Sequence, residues 1–230
     1  MKRISDIHAI KIIFFITACY VGLWSIRIPS IKDQLLTDYI GIGYIMLSFA
    51  VGSIVAMIIA NSLILKTSTK TILTFTLIAE GLLWLPVPFI EELWIFFIFS
   101  FIFGMTYGAF EIACNVYASN LEIREKKSMM SGFHAFWSLG VLFGSLITSL
   151  LLEWNYSFIF NILLYVVILL PLSLYFVLCL ENQSSEKTES TNKKNIFFLW
   201  PILIILLALI AMANALTEGS VDAWGALYMR

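Results

Sequence analysis

Residues 154–180 read WNYSFIFNILLYVVILLPLSLYFVLCL, 27 residues without an Asp, Glu, Lys or Arg. A helix needs about 20 mostly apolar residues to cross the hydrocarbon core of a bilayer, and this run exceeds that length. Its Ile, Leu, Val and Phe do not alternate with polar residues, so it reads as a helix rather than as a strand of a closed barrel. Working outward, further charge-free runs occupy 39–65, 93–110, 128–152 and 195–217. The run at 12–26 is shorter, but Lys11 and Arg27 at its ends extend it by snorkelling. Residues 71–90 make a span only if Glu80 is accepted inside the membrane. Seven spans are expected, near 10–27, 40–65, 71–90, 93–120, 132–152, 155–179 and 196–217. With 60% apolar and 13% charged residues, the chain lacks the surface charge of a soluble domain. The fold class is an all-α polytopic membrane helix bundle.

The charges between the spans orient it. With the N-terminus in the cytoplasm, the inner segments carry Lys2, Arg3, Lys11, Lys66, Lys70, Arg124, Lys126, Lys127, Lys187, Lys193 and Lys194, and the outer ones Arg27, Lys32 and Arg230, 11 against 3. That asymmetry fits the positive-inside rule and predicts a cytoplasmic N-terminus in a plasma or inner membrane. One stretch is plainly hydrophilic, ENQSSEKTESTNKKN at 181–195. It reads as a solvated linker that separates a six-helix bundle, 1–180, from a seventh helix within 196–230. The N-terminus also has the look of a signal peptide closing on ITAC at 16–19, against the alternative of an uncleaved first helix whose cysteine is incidental. Cys19, Cys114 and Cys179 all fall in or at the ends of spans and read as packing residues.

Ionisable groups inside spans are costly and usually face a partner or a wet cavity. Arg27 closes the first span, Glu80 sits in the third, Glu111 in the fourth, and Glu218 and Asp222 at the outer end of the seventh. In span four, Gly108, Glu111, Asn115 and Glu122 are spaced three, four and seven apart and share one helical face. That face must look toward other helices or water. It is either a cavity lining, with Glu111 as a proton or cation site and Asn115 as a hydrogen-bonding ligand, or an interhelical clamp reaching Arg27 or His134. His134 opens span five with Trp137 and Ser138 a turn on, as a proton relay or as a packing residue. Glu80 reads as a neutral carboxyl hydrogen-bonded in the bundle, or as a proton site. Glu218 and Asp222, four apart, form either a proton- or cation-coupling pair or a solvated helix end. Gly104/Gly108 and Gly140/Gly144 are small-residue pairs that let helices approach closely. No nucleophile–base pair, phosphate-cradling Gly loop or metal-ligand spacing is present. No enzyme, cofactor or metal site is expected, and no nucleic-acid partner.

At these residues the chain resembles the major facilitator superfamily, in a bacterial branch of sugar-permease-like inner-membrane transporters. The resemblance is carried by WSIRIPSIK at 24–32, GAFEIACN at 108–115, SGFHAFWSLG at 131–140 and TEGSVDAWGALY at 217–228. It implies a first six-helix half, the cytoplasmic loop between halves at 181–195, and helix seven. Two departures stand out. The loop at 61–70 reads NSLILKTSTK, where the superfamily carries Gly, Asp and several Arg, so only Lys66 and Lys70 stand for its basic positions. The branch commonly has Asp where Glu111 stands. Members have about twelve helices, with the substrate site between two halves, so either a truncated product or a second chain supplying the missing half is expected. The resemblance implies a secondary active transporter of a small solute working by alternating access, its partners being the lipid bilayer, the solute and protons. Its expected cavity residues are Trp24, Arg27, Glu111, Asn115, His134 and Trp137, and its expected proton-coupling residues are Glu80, Glu111, Glu218 and Asp222. The competing reading is a non-transporting membrane fragment with a regulatory or binding role.

Overall fold

The computed structural model describes residues 5–182 and 202–229, apart from the side chains of Asn61, Leu203, Glu218, Asp222 and Ala223. The chain divides into two compact units, Met1–Ser185 and Glu186–Arg230. The first holds six long helices: α1 (Asp6–Gln34), α2 (Tyr39–Lys66), α3 (Thr69–Leu83), α4 (Leu93–Glu125), α5 (Met130–Glu153) and α6 (Phe158–Cys179), with a 3-10 turn at Val87–Phe89 after α3. The second holds α7 (Ile202–Tyr228). No strand occurs among the described residues. Among them, seven segments, Thr69–Phe89 counted as one, are long and apolar enough to cross a membrane. The protein is an all-α polytopic bundle, as its hydrophobic runs predict.

Local chemistry sets the helix ends. Asp38, Ser68 and Ser157 precede α2, α3 and α6, and their side chains accept from the backbone N–H of Gly41, Thr71 and Phe160, as N-caps do. Pro86 and Pro88 cannot donate to a continuing helix, so α3 stops at Leu83 and the chain turns through 3-10 geometry. Lys126 adopts a left-handed conformation, φ 52°, that closes α4.

Three helices outrun the spans expected of them by a turn or more, α4 by continuing to Glu125. Helix α1 runs to Gln34 with Pro29 inside it, Asp6 in its first turn and Lys32 in its last, charges that complement the helix dipole. Helix α7 continues past residue 217 through the positions of Glu218 and Asp222, where Thr217 and Ser220 turn their hydroxyls back onto the carbonyls of Ala213 and Leu216. Most of the 181–195 linker, and residues 196–201, lie outside the described residues.

Within the six-helix unit, α1 pairs along its length with α5, and α2 with α4; α3 packs on α4 and α6, and α6 also on α1. Exchanging α1 with α4, α2 with α5 and α3 with α6 maps this pattern onto itself. The glycine pairs lie at the two crossings that this exchange relates, although not on the helices it relates. A Cβ at Gly140 or Gly144 of α5 would press on the carbonyls of Phe15 and Cys19 of α1, and one at Gly104 or Gly108 of α4 on those of Phe49 and Ser53 of α2. Both glycine pairs therefore serve helix contact. Backbone-to-backbone approach of this kind maximises dispersion contact where lipid supplies no hydrophobic drive between helices. Helix α1 is central: Ala9, Ile10, Ile13, Ala18 and Leu23 have no exposure.

Polar side chains tie the helix ends together. Gln34 at the end of α1 donates to the carbonyls of Val87 and Ile90 (2.9 and 2.7 Å). Arg124 at the end of α4 reaches Asp6 (3.1 Å) and Glu181 (3.3 Å). Lys70 caps the end of α6 through the carbonyls of Leu178 and Leu180.

Candidate functional site

Five side chains on α4 and α5 gather on one side of the bundle. Tyr107, Glu111 and Asn115 follow at four-residue steps along α4 and share a face; all three are half-buried. Gly104 and Gly108 lie on the adjoining part of the same face and pack on α2, while Tyr107, Glu111 and Asn115 stay half-buried beside that contact. From α5, Trp137 meets Tyr107 edge-on with ring centroids 6.3 Å apart. His134, one turn before Trp137, is exposed and lies within electrostatic reach of Glu111. Phe14 of α1 underpins the group, stacking edge-on with both His134 (5.8 Å) and Trp137 (6.3 Å). The spacing of α4 thus delivers a carboxylate, an amide and a phenol, and α5 delivers an imidazole and an indole beside them.

An aromatic train continues from this group. Tyr107 contacts Phe49, Phe49 contacts Phe103, Phe103 contacts Trp84, and Trp84 contacts Trp24. Half-buried Trp24 is thereby linked to Trp137 through rings of α2 and α4 and through Trp84, the residue that follows α3.

Asn115 turns its amide onto its own helix, Nδ2 donating to the Glu111 carbonyl at 2.9 Å. Glu122, on the same nominal face, instead accepts from the backbone N–H groups of Met129 and Met130. It caps the start of α5 and shapes the α4–α5 turn. Gly108 packs on α2. The helical stripe of span four therefore divides between three tasks.

Arg27 and Glu80 stand apart from this face. Arg27 is 3% exposed and lies between α1 and α6. Its Nε donates to Asn161 Oδ1 at 2.9 Å, and its guanidinium stacks 5.0 Å over the Phe158 ring. Glu80 is 4% exposed, inside the bundle, within electrostatic reach of Tyr20 on α1 and Cys114 on α4. The side chains of Glu218 and Asp222 lie outside the described residues. Sequence reasoning missed Asn161, Tyr107 and Phe14. The signal for Asn161 was present: an amide in the first turn of the most apolar helix of the chain, where a polar side chain needs a partner.

The features together are those of a multi-pass membrane protein with a polar face set into an apolar bundle. The chain matches the family model of the Major Facilitator Superfamily over residues 12–230 and belongs to that superfamily. It is 25% identical over 222 residues to an uncharacterized transporter of Sinorhizobium fredii, covering 94% of this chain and 57% of that protein. It is also 25% identical over 230 residues to an uncharacterized MFS-type transporter of Yersinia pestis, covering 98% of this chain and 58% of that one. The chain thus spans a little over half the length of these curated relatives. No solved structure matches it.

Proposed function

We propose that this chain forms the N-terminal half of a secondary transporter that moves a small polar solute by alternating access, with proton coupling at Glu111. One observation carries the reading: Glu111 is a half-buried carboxylate in the middle of a membrane-length helix, flanked by Tyr107, Asn115, Trp137 and His134. A carboxylate at that depth is too costly to face acyl chains. A wet interior shared with a facing half supplies the environment it needs. The aromatic rings offer flat apolar surfaces for a solute, and the polar groups between them fix its orientation.

In this reading residues 1–180 are the first bundle, 181–195 the cytoplasmic loop, and α7 the first helix of the second half. The N-terminus lies in the cytoplasm of a bacterial inner membrane, as the positive-inside count supports. Trp24, Asn115, His134 and Trp137 line the path. Arg27 acts from behind it by holding α1 to α6. Glu80 is a buried carboxyl within the first half. Glu218 and Asp222 are candidates for proton coupling from the second half, whether that half continues this chain or comes from another.

The test is solute uptake and efflux in proteoliposomes holding this chain with its facing half, under an imposed proton gradient. Glu111→Gln is expected to abolish gradient-driven accumulation while leaving solute exchange measurable. Accumulation equal to wild type in Glu111→Gln would remove the assignment.

A further inference from the structure

On the side of α4 turned away from Glu111, helices α2, α3 and α4 enclose an open groove of about 530 Å³, with Ala60, Leu63, Ile72, Ala79, Met105 and Ala109 among its walls. Met105 and Ala109 lie about 200° around α4 from Tyr107 and Glu111, two residues away at 100° each. The groove therefore opens toward the bilayer and not toward the solute face. Its small residues leave a channel instead of a ridge. Along α3 it runs from Ile72 to Leu83, about 16 Å at 1.5 Å per residue, close to the roughly 15 Å hydrocarbon depth of one leaflet.

The groove gives a polar ligand nothing to bond. Its two hydroxyls are committed to their own helices: Thr76 donates to the carbonyls of Ile72 and Leu73, and Thr106 to that of Ile102. The charge lies at one end. Lys66 closes α2 one turn beyond Leu63 and shares a helical face with Ile59, seven residues earlier and also in the groove wall. It is exposed and makes no ion pair among the described residues. Lys70, the neighbouring cation, is instead bonded to the end of α6.

We propose that this groove holds one acyl chain of an anionic phospholipid, with the lipid phosphate at Lys66. A hydrocarbon chain fits the length and the absence of free hydrogen-bonding groups, and the lone ammonium at the interfacial end selects a net negative headgroup. This inference does not depend on the solute or on the coupling ion.

Native mass spectrometry of the full chain, reconstituted with equal phosphatidylglycerol and phosphatidylethanolamine of the same acyl chains, tests it. Wild type is expected to retain phosphatidylglycerol in about fivefold preference, the effect of one lysine at an anionic headgroup. Lys66→Gln is expected to erase the preference without emptying the groove. Ala79→Phe, which fills the groove, is expected to lower total retained lipid; Ala109→Phe on the opposite wall reads the same quantity if the first variant fails to fold. Lys127→Gln, in the exposed α4–α5 turn, is expected to change neither. Equal retention of both lipids by wild type would overturn the proposal. So would a Lys127→Gln effect as large as that of Lys66→Gln, or undiminished lipid in both groove-filling variants, the result if a protein helix covers the groove.

Discussion

Arg27 of α1 donates through Nε to Oδ1 of Asn161 on α6 at 2.9 Å, with both side chains buried. Two of their other donor groups, Arg27 Nη2 and Asn161 Nδ2, are buried with no acceptor among the described residues. Buried donors left unmatched are costly, and a carboxylate suits a guanidinium better than an amide because it accepts at both oxygens. Asn161→Asp is therefore expected to raise the unfolding temperature in detergent. Asn161→Ala is expected to lower it, with a loss of about 1.5–3 kcal/mol for a hydrogen bond to a charged group. Equal unfolding temperatures for Asn161→Ala and wild type would show that the pair does not hold α1 to α6.

The glycine crossings make a graded prediction. Gly144→Val inserts a branched side chain where α1 and α5 touch through backbone at Cys19, and Gly104→Val does the same between α4 and α2 at Phe49. Each is expected to cost 1–3 kcal/mol or more, about the range for overpacking a close contact. A Cβ at Gly43 of α2 meets nothing within 4 Å, so Gly43→Ala is expected to be neutral or to gain up to about 1 kcal/mol from helix propensity. Thermal unfolding in detergent ranks the three; the order fails if Gly43→Ala is the worst.

Arg124 binds Asp6 and Glu181 together, and Glu181 closes the ring by donating its N–H to Asp6. Asp6 is 6% exposed, so Arg124→Ala leaves a buried carboxylate with less to bind. The expected loss is about 1–3 kcal/mol, and Asp6→Asn in the same chain should recover part of it. A double-mutant cycle measures the coupling. Additive losses, with no coupling energy, would mean that the ring is a surface arrangement without energetic weight.

Glu111 and Asn115 are expected to separate in transport assays although they sit one turn apart. Asn115 spends one amide N–H on its own helix, leaving its second N–H and its carbonyl oxygen for solute. Asn115→Ala is expected to reduce the rate a few-fold, about the effect of one neutral hydrogen bond. Glu111→Gln is expected to remove proton-driven accumulation altogether. Identical phenotypes would argue that both residues act through one structural contact.

The span pattern was legible because each stretch such as 154–180 carries its own answer: a long apolar helix prefers lipid whatever its neighbours do. Glu111 and His134 were legible as polar groups out of place, and they do fall near one another. Legibility ended at helix rotation. Glu122 shares the nominal face of Glu111, yet the α4–α5 turn takes its carboxylate for two backbone N–H groups. Arg27 reads as a neighbour of Glu111 on charge alone, but Asn161 and Phe158 of α6 hold it.

From composition and order alone follow the solvent, the number of crossings and the helical class, because transfer into hydrocarbon is close to additive along the chain. Which face of each helix meets which partner was settled only by tertiary structure. That choice depends on backbone approach at Gly104, Gly108, Gly140 and Gly144 and on hydrogen bonds such as that between Arg27 and Asn161, 134 residues apart in sequence. Those contacts form only when several helices already stand at the right rotation, so no single segment encodes them.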